Sequence, residues 1–473
     1  MRAERPRSAG ATVGFFDWLF GKKKDPYGGN PQKQYSSPRQ QPRDASPYPP
    51  PPPPPPPSGY GRPVPVPTPQ QAQAVGMRFQ FLGWRRRRSK TPIGPIPDQT
   101  ISGCRDVLTG RFSEPGGIAS LGGSRESPDP YFDAARVRAA GLPELPHTDA
   151  LAALAGVERR KLVWLAARPL SGKDVTTHYT VKEIDKSSGG KRLLMVPLPQ
   201  LKAVQRALLE KLVSKLPVHD AAHGFRKGRD VLSGASVHVG KDVLVSLDVR
   251  DFFPSFTFRR VSGYFRSLGY GRGTAVALAN LTTARLAEAQ VKQGNNWVYA
   301  AKAYKNVRWG HPELPQGAPT SPGISNAICH RMDKRLTGLA RKFGADYTRY
   351  ADDMTFSGGD DLAFHATKFI GLVTKIVHTE GLRLNDKKTR VMRQGRQQRV
   401  TGVVVNNKTN VSRRDYDKLK AILHNCVKRG PHGENHDHHP DFRGWLQGKI
   451  AHVSHIGPER GRKLMALFNQ VRW

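Results

Sequence analysis

A chain of 473 residues, 37% of them hydrophobic, is long enough to bury a sizeable core in two or three domains. Its formal net charge of +38 suits a polyanionic partner, most simply nucleic acid; residues 1–100 hold 16 Lys/Arg against 5 Asp/Glu, so +27 remains on the part expected to fold. Cys104, Cys329 and Cys426 lie too far apart for a zinc site or a disulfide framework, no run of about 18 apolar residues offers a membrane span, and the start has no signal-peptide pattern, so a cytoplasmic protein is expected.

Residues 1–130 are expected to form a disordered, basic, Pro-rich arm. Pro49 to Pro57 is unbroken proline and should stand as a polyproline II rod. Twice an aromatic cluster precedes a basic run: Phe15, Phe16, Trp18, Leu19 and Phe20 before Lys22 to Lys24, and Phe79, Phe81, Leu82 and Trp84 before Arg85 to Arg88. Such a pattern suits an anchor on RNA, on a membrane surface or on a protein, or an arm with incidental aromatics. Order is expected from near Asp149, a candidate helix cap, with Leu151, Leu154, Val157, Leu162, Val163 and Leu165 at helical spacing. A hairpin follows: Tyr179, Val181 and Ile184 as a strand, a turn at Ser187, Ser188, Gly189 and Gly190, and a return from Arg192 to Val196 that Pro197 ends. Lys191 and Arg192 either clamp a triphosphate or belong to a solvated face. Leu201 to Leu212 reads as an amphipathic helix with its basic residues outward.

Leu244 to Leu247 is an apolar run, expected as a buried strand that presents Asp248 at a sheet end. Asp251 is expected to cap the turn or helix that follows. Phe253 either packs against the sugar of an incoming nucleotide, where it would exclude a ribose 2′-hydroxyl, or belongs to the core. In the loop Leu314 to Gly323, Pro and Gly fix an irregular backbone, and Gln316 can hydrogen-bond a nucleotide sugar or base edge. Ile324 to Leu336 then reads as a helix with Thr320 or Ser321 near its start.

Tyr350, Ala351, Asp352 and Asp353 lie between Tyr347 on one side and Met354 and Phe356 on the other, which suggests a hairpin with both aspartates at its turn. Alone, an Asp-Asp pair is as readily a surface turn. With Asp248 it supplies three carboxylates, and adjacent carboxylates repel unless a divalent cation lies between them. Two Mg²⁺ ions about 3.5–4 Å apart would stabilise the attacking and leaving oxygens of a phosphoryl transfer, as in a polymerase. Lys387 and Lys388 follow, and one of them can protonate or neutralise departing pyrophosphate. His432, His436, His438 and His439, with Glu434 and Asp437 but no cysteine pair, read as a polar loop rather than a metal site.

In their order these blocks resemble the motifs of reverse transcriptases. His223, Gly224, Phe225, Arg226 and Gly228 resemble the fingers block, and the Asp248 strand the first catalytic motif. Gln316 to Pro322 resembles the nucleotide-binding loop, Tyr350 to Asp353 the catalytic hairpin, and Leu384, Asn385, Lys388 and Thr389 the lysine motif. Asn326, Ala327 and His330, and the block Val400, Thr401, Gly402, resemble bacterial retron reverse transcriptases in particular, as do Gly448, Lys449, Ile450 and Val453. The long Pro-rich arm resembles that of some myxobacterial members.

The resemblance spans about residues 150–470 and implies an α/β (α+β) right-hand polymerase. The arm would cover 1–130, N-terminal helices and fingers 131–240, the palm 241–405 and a helical thumb 406–473. It implies catalysis by Asp248, Asp352 and Asp353, and two Mg²⁺ ions held by these and Val249. It implies nucleotide contacts from Lys191, Arg192, Phe253, Gln316 and Lys388, and family-specific RNA contacts from Asn326, His330, Val400, Thr401 and Gly402. Deoxynucleoside triphosphates and a cognate structured noncoding RNA would be the substrates. Branched multicopy single-stranded DNA, primed from an internal guanosine 2′-hydroxyl, would be the product. Host RNase H and an effector protein from the same locus are further implied partners, and defence against phage the implied role. The rivals are a group II intron enzyme, disfavoured by the shortness of the chain after Val405, an abortive-infection enzyme, and an RNA-binding scaffold, which would have no need of the three carboxylates.

Overall fold

The computed structural model describes residues 129–167, 178–185, 191–293, 296–304 and 310–473. All but the last two residues of the expected arm, with its proline run and both aromatic–basic clusters, lie outside the described residues, as does the turn at Ser187 to Gly190.

Order begins before Asp149. The Asp129 carboxylate accepts hydrogen bonds from the N–H groups of Tyr131 (3.0 Å) and Gly273 (2.9 Å), closing the start of a helix 144 residues away. Helix α1 (Thr148–Ala155) is capped by His147, whose Nδ1 accepts from the Ala150 N–H at 3.1 Å. Asp149 sits instead in the first turn, where its charge favours the helix dipole. Helix α2 (Arg159–Ala166) adds Leu162 and Leu165 to the main core. Strands β1 (Tyr179–Asp185) and β2 (Lys191–Pro197) pair antiparallel, from Tyr179 opposite Pro197 to Asp185 opposite Lys191. Helix α3 (Pro199–Lys211) starts on proline and buries Leu201, Val204 and Leu208.

Next come α4 (Val231–Ser236), β3 (Val243–Asp248) and α5 (Arg272–Thr282). A hairpin that sequence patterning did not reveal, β4 (Gln290–Gln293) and β5 (Asn296–Tyr299), then joins β1 to give a sheet of order β2-β1-β4-β5. The expected helix over Ile324 to Leu336 is two helices, α6 (Ser321–Ile328) and α7 (His330–Lys342), meeting at Cys329. After them run β6 (Asp346–Tyr350), β7 (Asp353–Gly358), α8 (Ala366–Thr379), β8 (Arg390–Arg393), β9 (Arg399–Val400) and β10 (Val403–Val404). The chain ends in helices α9 (Arg413–Arg429), α10 (Phe442–Ile456) and α11 (Pro458–Phe468).

The second four-stranded sheet has the order β6-β7-β3-β8, and β3 is buried along its length except at Ser246. Both of its faces are covered. Val243, Val245 and Leu247 join Phe369, Val373 and Val377 of α8 in the main core. Leu244 points the other way and joins Val400, Val403, Leu423, Ile450 and Leu464 in a second core. An antiparallel strand thus reads as one apolar run, because neither face meets water. Each such side chain contributes roughly 1.5–3 kcal/mol on burial. The ring of His238 lies buried beside this sheet, hydrogen-bonded to Ser357 Oγ (2.6 Å) and Thr348 Oγ1 (2.7 Å), and burial drives its pKa down to about 3. No helix among the described residues is long and apolar enough to cross a membrane. Sheets and covering helices together make the α+β architecture expected.

Candidate active site

The register of β3 against β7 sets Asp248 directly opposite Asp353. Opposed residues of an antiparallel pair have Cα atoms about 4.5–5.5 Å apart, so these two carboxylates share one end of the sheet. Tyr350 pairs with Asp353, which leaves only Ala351 and Asp352 in the turn. The expected hairpin is corrected here: Asp353 begins β7 rather than sharing the turn. Ala351 takes φ 55°, as a two-residue hairpin turn requires. The Asp352 carbonyl accepts the Val249 N–H at 2.9 Å, which ties the exit of β3 to that turn. Val249 itself is buried, so any part it plays falls to its backbone.

A buried network braces the turn from behind. The wholly buried Arg349 donates to Asp333 (2.6 and 2.8 Å), to Asn326 Oδ1 (2.9 Å) and to the Ala351 carbonyl (3.1 Å). The Tyr347 hydroxyl also donates to Asp333, at 2.9 Å. Asn326 in turn donates to the Gly224 carbonyl at 2.7 Å. A Cβ at Gly224 would lie 3.0 Å from the Ala351 nitrogen, tighter than ordinary van der Waals contact, so the bare glycine lets the His223 to Gly228 block press closely on the turn. Sequence reasoning missed Arg349 and Asp333. The available signal was an arginine set between two tyrosines near the end of a strand, beside the paired aspartates.

Asn326 was expected to touch RNA. It is 2% exposed and both ends of its amide are spent inside the protein, so the structure places it as a positioning residue behind the turn. His330 opens α7 half-buried, with its ring edge-on to His219 at 5.6 Å. Val400 lies in the second core, so a direct RNA contact from its side chain is likewise not offered. Thr401 and Gly402 form the turn between β9 and β10 at φ 44° and 91°. A β-branched residue at positive φ is strained, and Thr401 Oγ1 is enclosed with no hydrogen-bond partner among the described residues.

Asp248, 6% exposed, accepts from Lys388 Nζ at 2.8 Å and from Asn385 Nδ2 at 3.3 Å. Crowding by protein, then the charges of Asp352 and Asp248, push the Asp353 carboxyl up to about 7, with Lys388 pulling against them. Burial and then Asp248 likewise raise Asp352, against Lys388 and Arg192. Asp353 is nevertheless open to solvent. Three carboxylates against one hydrogen-bonded lysine leave the site short of positive charge, and their oxygens are what a hard divalent cation prefers, so the residues fit such an ion. No three His, Cys, Asp or Glu side chains among the described residues already converge on one point; Asp248 is turned to Lys388 instead.

Arg192 faces this cluster, close enough for its charge to act on Asp352. Lys191, next along the strand, points to the opposite face and pairs with Glu183, which also accepts from the Tyr304 hydroxyl at 2.6 Å. Of the two expected triphosphate clamps, the structure brings only Arg192 to the carboxylates. The Gln316 carbonyl accepts the Met195 N–H at 2.8 Å, and Gly317 takes φ 122° with the Met195 carbonyl only 2.7 Å from where a Cβ would stand. The loop is thereby clipped to β2, with Gln316 half-buried. Ser321 donates to the Pro315 carbonyl at 2.8 Å, and neither it nor Thr320 caps α6 through its side chain. Phe253 is 8% exposed, edge-on to Phe252 at 5.4 Å, with most of its ring in the core. Asp251 starts its turn through the backbone, its carbonyl accepting from Ser255, while its carboxylate meets Arg250 at 3.3 Å. The histidine cluster is a polar loop in which Asn435 bonds the backbone of His439, whose ring stacks on Trp445.

Residues 184–405 match the family model described as reverse transcriptase (RNA-dependent DNA polymerase). The chain is 40% identical over 350 residues to the Retron Mx162 reverse transcriptase of Myxococcus xanthus, across 71% of this chain and 69% of that protein. It is 42% identical over 333 residues to the Retron Mx65 reverse transcriptase of the same organism, across 70% and 73%. The Retron Ec86 reverse transcriptase of Escherichia coli is 31% identical over 323 residues, across 67% of this chain and 88% of that one.

Proposed function

The chain belongs to the retron reverse transcriptases, RNA-directed DNA polymerases, and from that premise we propose that it copies part of a structured noncoding RNA of its own locus into branched single-stranded DNA, primed from an internal guanosine 2′-hydroxyl. The observation that carries the reading is the apposition of Asp248 and Asp353 across two strands, with Asp352 on the adjoining turn and Arg192 facing it. Asp248, Asp352, Asp353 and the Val249 backbone would hold two Mg²⁺ ions. Bound there, the ions would stabilise the attacking and leaving oxygens of an in-line displacement at the α-phosphate.

The protein's own residues do the rest. Arg192 engages the triphosphate. Lys388, released from Asp248, neutralises or protonates departing pyrophosphate. Gln316, on a loop clipped to β2, sets the sugar and base edge, and the exposed corner of Phe253 sets the sugar's limit. His330 and the Thr401–Gly402 turn meet the cognate RNA. Fingers fall within residues 131–240, palm within 241–405 and thumb within 406–473. Host RNase H removes the copied template, and an effector from the same locus turns the product to phage defence in the cytoplasm.

The test is to purify the protein from its native host and to treat the nucleic acid that accompanies it with RNase and then debranching enzyme. A single-stranded DNA of discrete length that shifts on debranching is the expected result. RNA alone, or heterogeneous unbranched DNA, overturns the reading. Asp352→Ala should remove the DNA entirely while the RNA still copurifies.

A further inference from the structure

An unbroken run of short contacts joins α10 to the turn that carries Asp352. His455 of α10 lies 225 residues beyond Asp230, yet its Nε2 meets the Asp230 carboxylate at 2.6 Å. The other oxygen of that carboxylate accepts from the Ser233 N–H at 2.7 Å and so caps α4. Ser233 Oγ accepts from the Asp230 N–H at 2.8 Å and is hydrogen-bonded to His223 Nδ1 at 2.9 Å. The His223 N–H donates to the Arg349 carbonyl at 2.8 Å, and Gly224, the next residue, presses on Ala351 of the turn.

There is little slack along this run. A Cβ at Gly234 of α4 would stand 3.3 Å from the His223 Cβ, so a shift of α4 carries His223 with it. Phe225 sets its ring 5.7 Å from that of Tyr350, which pairs with Asp353, and burial and then the charge of Asp230 raise the Tyr350 hydroxyl above its ordinary pKa. Asp230 thus has two duties, and folding needs only one of them. The cap requires a single oxygen near the Ser233 N–H, which serine supplies as well. The contact with His455 is half-exposed, 45% at Asp230 and 51% at His455, and a pair so open to water contributes little to stability. What it does is tie α10 to the segment that presses on the turn.

We propose that Asp230 and His455 are positioning residues for DNA synthesis: with α10 docked, their contact holds α4 and the His223–Gly224 segment against the turn that carries Asp352. The inference rests on the polymerase reading above. Groups that hold reacting atoms must keep their place within about 0.5 Å, so slack anywhere in the run reaches the rate before it reaches the fold.

The test is extension of a DNA primer by one nucleotide on an RNA template, with the full chain. For each variant, kcat, KM for the deoxynucleotide, RNA affinity and the urea midpoint are measured. Asp230→Ser keeps the cap with its one oxygen and gives up His455; His455→Ala leaves the cap whole. Each should lower kcat about ten-fold, the scale of a small misplacement of reacting groups, with KM, RNA affinity and urea midpoint close to the parent's. The double variant should lose no more than either single one, because both break the same contact. His455→Gln, which still offers an N–H to Asp230, should recover most of the rate. Variants as fast as the parent, or a double variant whose losses multiply, overturn the proposal. So does a rate that falls only in step with the urea midpoint. A parent that extends no primer overturns the polymerase reading and this inference with it.

Discussion

Asp353 is held in a state it would not choose in water. Its carboxyl is raised from the ordinary 3.8 to about 7 by crowding and by two neighbouring carboxylates. Between about pH 4 and 7 the folded, metal-free protein therefore binds more protons than the unfolded chain, and its stability falls as pH rises through that window. Below the window both states are protonated and the penalty is absent. Above it the penalty is constant. Asp353→Asn removes the repulsion, so the metal-free variant should unfold at higher urea than the parent at pH 8, by roughly 0.5 kcal/mol once solvent access is allowed for. The difference should vanish near pH 4, and saturating Mg²⁺ should reverse it at pH 8, because the parent then gains an ion the variant holds poorly. A variant no more stable than the parent at pH 8 would show that the carboxylates are already neutralised by Lys388. DNA synthesis should be lost in the variant under every condition.

The turn that carries Asp352 depends on side chains buried behind it. Helices α6 and α7 supply Asn326 and Asp333 to Arg349 of β6, and through Asn326 they hold Gly224 against Ala351. Asn326→Ala leaves the Gly224 carbonyl and an Arg349 N–H without this partner, a cost of roughly 1–3 kcal/mol. The urea midpoint should drop and kcat should fall more than KM rises, with RNA affinity close to the parent's. Unchanged stability with weakened RNA binding would mean that Asn326 reaches the RNA directly.

This network also marks where legibility ended. The Asp248 strand was readable because both its faces are apolar, and Asp352 and Asp353 because apolar and aromatic residues flank them on each side. The β1–β2 hairpin and α3 were readable from alternation and helical spacing. Arg349 and Asp333 were not, since a buried ion pair leaves only two charges, 16 residues apart, with no period. Nor were the Asp129 contact with Gly273, the His147 cap, or β4, whose four residues include only one apolar side chain. The first and last depend on partners that folding supplies from elsewhere in the chain, and the cap on a histidine, a residue outside the usual capping set.

At the scale of the molecule, the Asp248 strand and the C-terminal helices share one hydrophobic core. Leu244 of β3 is wholly buried among residues of β9, β10 and α9 to α11, while Val243 and Val245 beside it serve the main core. His455 of α10 adds a 2.6 Å contact to Asp230, the cap of α4, which packs on the same strands. C-terminal helices built this way are no appendage: the side chains that would let them fold alone are the ones that cover β3. Leu244→Ala leaves a cavity between the two, at a cost of about 2–5 kcal/mol. Hydrogen exchange under native conditions should then show amides of β7 and of α10 losing protection together and by the same free energy. Loss confined to β7, with α10 as protected as in the parent, would show instead that residues 406–473 fold as an independent domain. The aspartates would then be positioned by the residues before 406 alone.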